Sequence, residues 1–191
     1  MTAPHRSVNW ALWRARWHIW CRREARALAV IEEALIGQPD DAVMMAFQAH
    51  LLAELKQPQK ALQVLDRLVE VAPEQAANWF NRGFLQESMD LLDAAEASFR
   101  RAVALDEKLD RAWYGLGLTL IRANRLEDAL GALRRNTELQ PMSPYAWYQM
   151  ARIHVNRAEP EEAAKIIRHL HGFEPKVAAQ LERETGIRAA G

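Results

Sequence analysis

A period of 34 residues constrains this chain more than any other feature. Ala27, Ala61, Ala95, Ala129 and Ala163 keep that spacing without a gap. Four residues after each stands a bulky apolar residue: Ile31, Leu65, Phe99, Leu133 and Ile167. Earlier in each unit a small residue recurs as Ala15, Ala49, Gly83, Gly117 and Ala151. Prolines close the units at Pro39, Pro73, Pro141 and Pro175, with Glu107 at the one gap. Chance does not hold such columns in register over five periods, so the chain is an internal repeat.

Each column has a packing reason. A small residue in a first helix lets a second helix approach closely, and the alanine of the second helix fills the other side of that contact. The bulky residue four positions on shares the alanine's face and points inward. Proline ends the second helix, because it lacks an N–H and disfavours a helical residue before it. Each unit is therefore two antiparallel helices and a stop. One such pair cannot bury its own apolar face, so the pairs must stack.

The segment "AWYGLGLTLIRANRLEDALGALRRNTELQP", residues 112–141, resembles a tetratricopeptide repeat. Trp113, Leu116, Gly117, Ala129, Leu133 and Pro141 follow the family pattern, with Leu120 where tyrosine is usual. The segments from Trp79 and Trp147 follow it more loosely, and Met45 stands in the tryptophan place of the second unit. In the first unit only the second-helix columns and Pro39 match. The resemblance divides the chain into repeats 8–41, 42–75, 76–109, 110–143 and 144–177. It implies an all-α fold, a right-handed α-solenoid of five antiparallel helix pairs. Residues 178–187, with Pro175 and Lys176 before them, read as a C-terminal capping helix ending at Gly186. Glu182, Arg183 and Glu184 would give that cap a polar outer face.

In this family the first helices line a concave side, which implies a set of groove residues here. These are Phe47 and His50 (with Val43) in the second unit, and Phe80, Asn81 and Phe84 in the third. The fourth supplies Arg111, Tyr114, Leu118 and Arg122, and the fifth Tyr145, Tyr148, Gln149 and Arg152. Aromatic and arginine side chains dominate the energetic anchors of interfaces, so the set suits a peptide or amphipathic helix with apolar anchors. The competing expectation is that these aromatics pack between adjacent units. A clamp for a chaperone's terminal carboxylate is not expected, because only Asn81 matches among Ala46, His50, Asn81, Arg111 and Gly115.

Lys and Arg together equal Asp and Glu, at 25 each, so no net field draws the chain to nucleic acid. Cys21 is the single cysteine, which excludes an internal disulfide and a cysteine-rich metal site. His169 and His171 lie two apart and make a poor metal pair on a helix. There is no Gly-rich phosphate loop, HExxH or Gly-x-Ser-x-Gly turn, so neither cofactor, metal nor catalysis is expected. No run of 18 apolar residues exists, and Arg14, Arg16 and His18 interrupt the place of a signal peptide's apolar segment. The expectation is a cytoplasmic, non-catalytic scaffold or adaptor for a protein or peptide. The alternatives are a chaperone or assembly factor for one client, and an accessory subunit of an enzyme complex.

One stretch stands apart. "NWALWRARWHIWCRR", residues 9–23, places Trp10, Trp13, Trp17 and Trp20 on one helical stripe. Before Glu24 there are five arginines (Arg6, Arg14, Arg16, Arg22 and Arg23) and no acid. Trp10 and Trp17 occupy columns that hold Met44 and Leu51 in the second unit and that should face a preceding unit. Three expectations compete: the helix rolls and tucks two indoles into the core, the stripe is a self-association or partner seam such as a homodimer, or it meets a membrane interface. The repeat register tying Ala27, Ile31, Ala34 and Pro39 to this helix makes the membrane contact the least expected.

Overall fold

The computed structural model describes residues 5–188, with side chains from Trp10 to Arg188. The side chain of Arg6, and residues 1–4 and 189–191, lie outside the described residues. The described residues form eleven helices and no strand, gathered in two compact units that divide after Leu105.

The first unit holds α1 (His5–Trp20), α2 (Glu24–Gly37), α3 (Ala42–Glu54), α4 (Pro58–Val71), α5 (Ala76–Ser88) and α6 (Leu92–Leu105). They pair as α1 with α2, α3 with α4 and α5 with α6, and α2 and α4 each also pack on the helix that follows. The second unit holds α7 (Asp110–Arg122), α8 (Leu126–Leu139), α9 (Pro144–Asn156), α10 (Pro160–His171) and α11 (Pro175–Thr185). Here α7 pairs with α8 and α9 with α10, while α11 packs on both α10 and α9.

The repeat columns are the core of these pairs. All five period alanines of the second helices are fully buried, as are Ile31, Phe99, Leu133 and Ile167, with Leu65 nearly so. A Cβ built on Gly117 would stand 2.7 Å from Leu133 Cδ2, and one on Gly83 would stand 3.0 Å from the Phe99 ring. Glycine is needed where these two side chains press closest; alanine suffices opposite Ile31, Leu65 and Ile167. Gln86 also accepts a buried hydrogen bond from Ser98 at 2.6 Å across α5 and α6. Contacts such as Gly83–Phe99 and Gln86–Ser98 converge on the turn at residues 89–91, which makes the pair antiparallel.

A further column of the same period lies in the turns. Arg22, Lys56, Asp90, Asn124 and Ala158 all have left-handed φ of 53–64°. The next residue in each case donates its N–H back across the turn, Arg23 to His18, Gln57 to Leu52, Leu91 to Gln86, Arg125 to Leu120 and Glu159 to His154, at 2.8–2.9 Å. With the left-handed residue's own bond three residues back, this is a Schellman ending on every first helix. It closes three-residue turns by satisfying carbonyls that the helix end would leave bare.

Proline has two jobs here. Pro39, Pro73 and Pro141 stand just past the ends of α2, α4 and α8. Pro175 instead opens α11, and α10 stops earlier, at His171. The final helix therefore starts at Pro175 rather than at residue 178, because proline's fixed φ and missing N–H suit a first helical turn. It ends at Gly186, whose φ of 72° is left-handed.

Candidate partner-binding surfaces

In the first unit, α3 and α5 flank a trough of about 380 Å³. Its floor is apolar, from Ala46, Ala49, Ala53 and Leu65, and its rim carries His50, Asn81 and Phe84. Phe84 is 61% exposed, a large apolar side chain left open beside an apolar floor. Phe80 is half-buried instead, 6.0 Å from Phe99 and 6.3 Å from Phe84 between ring centroids. It supports Phe84 from behind. Phe47 is likewise half-buried, packed on the core that α1 to α5 share.

The second unit has its own trough, of about 260 Å³, lined by Tyr114, Pro144, Tyr145, Tyr148, Gln149, Val177 and Gln180. Tyr145 is 68% exposed at its lip. Tyr114 is half-buried, and burial pushes its phenol above the ordinary range, with the Gln149 amide offsetting part of the rise. The Tyr148 hydroxyl donates to Glu184 Oε2 at 2.6 Å, and Arg152 lies over the Tyr148 ring at 5.8 Å. That hydrogen bond raises the Tyr148 pKa and holds the Glu184 carboxyl below the usual carboxylate range, where the Gln180 amide helps. Arg111 and Arg122 are exposed on α7, and Leu118 is half-buried.

Sequence reasoning missed the far wall of this trough. Val177 and Gln180 come from α11, which starts at the end of the fifth repeat and runs past the period, so no column announces them. Glu184, expected on the outer face of a cap, reaches back to α9, and Glu182 sits beside His171 at 3.2 Å. Of the expected polar face Arg183 and Glu184 are exposed, and Glu182 is half-buried.

His154 and His169 serve packing. His154 is buried with Nδ1 2.7 Å from Glu159, and His169 lies against Trp147 and Phe173. Among the described residues there is no group of three or more His, Cys, Asp or Glu side chains able to hold a metal ion. Nor is any described helix long and apolar enough to cross a membrane.

The tetratricopeptide repeat family model matches residues 88–144 and again 114–170. The fold is shared with YrrB, a repeat protein of that family described as having an unusual peptide-binding site: 18% identity, 91% of this chain and 90% of that one, TM-score 0.76. The chain carries tetratricopeptide repeats over residues 88–170. Its α-solenoid fold also matches MamA from Desulfovibrio magneticus RS-1, at 18% identity over 93% of this chain and 96% of that one, TM-score 0.77. PilF of Pseudomonas aeruginosa matches at 15% identity over 96% and 92%, TM-score 0.75. A second family model, that of the Chs5p-Arf1p-binding proteins, matches residues 5–88. No curated protein sequence matches. In tetratricopeptide terms, both troughs lie along the first helices of consecutive repeats, α3 with α5 and α7 with α9.

Proposed function

We propose that this protein is a non-catalytic scaffold or adaptor that holds protein or peptide segments against the aromatic faces of its first helices. The observation that carries the reading is the pairing of an open aromatic with an apolar trough in each unit, Phe84 in one and Tyr145 in the other. Such residues bury large area with few rotors to fix, and a handful of them dominates a typical interface. The peptide-binding site described for YrrB supports the same use of this fold. His50 and Asn81 at the first trough, and Gln149 and Arg152 at the second, would set the orientation of a bound chain through hydrogen bonds.

Selection of random peptides on the full-length chain tests this. The expected outcome is a set of peptides with apolar anchors whose affinity falls about tenfold or more on Phe84→Ala or Tyr145→Ala, as removal of a hot-spot residue does. Peptides that bind both variants as well as the parent would place recognition elsewhere and sink the reading.

A further inference from the structure

The tryptophan stripe of α1 belongs to neither trough. All four indoles are exposed: Trp10 59%, Trp13 57%, Trp17 52% and Trp20 76%. They run as a ladder, with successive ring centroids 5.3, 6.2 and 5.1 Å apart. Exposed indoles in such a row amount to several hundred Å² of apolar surface, on the order of the largest patch a soluble monomer leaves bare.

The core side of α1 lies opposite. At about 3.6 residues per turn, Ala11, Ala15 and Ile19 point away from the indoles, and Ala11 and Ala15 are buried. The repeat register ties α1 to its unit through that opposite side. It therefore leaves the stripe free and does not speak against a lipid contact. Arg14 and Arg16 flank the stripe on its two edges, and Arg22, Arg23 and Arg26 continue the charge past the helix end. All five are exposed, and none forms an ion pair among the described residues.

Two observations choose the occupant. The first is charge: residues 1–23 contain no acid. A second copy about a two-fold axis would bring this cationic rim against itself, whereas an anionic surface complements it. The second is hydrogen bonding. Trp79, Trp113 and Trp147 each donate their indole N–H to a carbonyl of their own chain. None of the four stripe indoles donates to a described residue. A dry protein seam would have to supply four acceptors, while the headgroup layer offers phosphate and ester oxygens and water at the depth where tryptophan settles.

We propose that α1 is an interfacial docking helix for anionic phospholipid, with the four indoles at headgroup depth and the arginines on lipid phosphates. The helix pairs stay folded on the membrane. No stripe residue lines either trough, so this inference does not depend on the peptide-binding reading.

The test is flotation of the full chain with vesicles of phosphatidylcholine, with and without phosphatidylglycerol, while intrinsic tryptophan fluorescence is recorded. Flotation with the anionic vesicles and a blue-shifted emission are expected. Each arginine near the surface is worth roughly a fivefold change in binding, so Arg14→Gln with Arg16→Gln should weaken it by more than tenfold. Trp13→Ser with Trp17→Ser should abolish it. Should that variant lose helicity by circular dichroism, brominated phosphatidylcholine in the anionic vesicles still reads the wild type: quenching supports the inference, and its absence overturns it. A chain that floats with neither vesicle overturns it too. So does a wild-type dimer in light scattering that the folded tryptophan variant turns into a monomer, because a second copy then covers the stripe.

Discussion

The indole Nε1 of Trp113 donates to the backbone carbonyl of Glu107, 2.9 Å away. Trp79 and Trp147 make the same bond to Pro73 and Pro141, at 2.8 and 3.0 Å. Glu107 is the position at which the proline period breaks, yet the bond persists, since a carbonyl is what every residue offers. Trp113→Phe should therefore cost about 1 kcal/mol, the net worth of a typical hydrogen bond. Glu107→Pro should be neutral or stabilise by up to about 1 kcal/mol, through a less flexible unfolded chain. Chemical denaturation of both variants checks the pair of signs.

Ala158 sits exposed at φ 57°, in the left-handed column of the Schellman turns. That conformation costs an L-residue roughly 1–2 kcal/mol, and glycine escapes it. Part of the relief is returned as unfolded-state entropy, so Ala158→Gly should gain about 0.5–1 kcal/mol. For a chain of this size that is a rise of about 2–4 °C in Tm per kcal/mol, readable by scanning calorimetry. A fall in Tm would mean that the turn is not left-handed in solution.

Two helical glycines should respond to alanine with opposite signs. At Gly117 the new methyl meets Leu133, itself fully buried and unable to yield. Overpacking of about 1–3 kcal/mol outweighs the helix-propensity gain of about 1 kcal/mol, so Gly117→Ala should destabilise. Around Gly131 nothing lies within 4 Å of an added Cβ, so Gly131→Ala should stabilise by about 0.5–1 kcal/mol. Paired thermal melts decide both.

These cases separate what the sequence displays from what it hides. The columns of Ala27, Ile31 and Ala15 are legible because packing restricts side-chain volume, and volume is written in residue type. The turn column is not: Arg22, Lys56, Asp90, Asn124 and Ala158 share no side-chain chemistry, only a backbone angle. Periodicity placed Trp10, Trp13, Trp17 and Trp20 on one stripe, with Trp10 and Trp17 in columns that should face a preceding unit, but left open whether the helix rolls two indoles into the core; burial of Ala11 and Ala15 on the other side decides that. Within the candidate troughs, Phe80 and Phe84 look alike in sequence and differ because only Phe80 reaches Phe99. The wall from α11 was hidden for a different reason, since a helix outside the repeat has no equivalent elsewhere in the chain.

That wall is tethered by Tyr148 and Glu184, and the tether titrates. Donation from the Tyr148 hydroxyl is the first cause that holds the Glu184 pKa below its ordinary value of 4.5. A depressed folded pKa contributes stability that is fully present above pH 4.5 and is lost as pH falls through the folded value. Tyr148→Phe removes the donor and leaves the Gln180 amide and the more distant Arg152 and Arg183 charges. The Glu184 carboxyl, followed by carbon NMR, should then titrate closer to 4.5. Stability should fall less between neutral and acid pH, because there is less favourable interaction left to lose. The effect on stability is small, since the carboxylate is exposed to solvent screening. The larger effect falls on the trough: without the tether α11 loses the Tyr148–Glu184 bond to α9, and peptides selected on the second unit should weaken at neutral pH. An unchanged Glu184 titration in Tyr148→Phe would show that the two groups do not meet in solution.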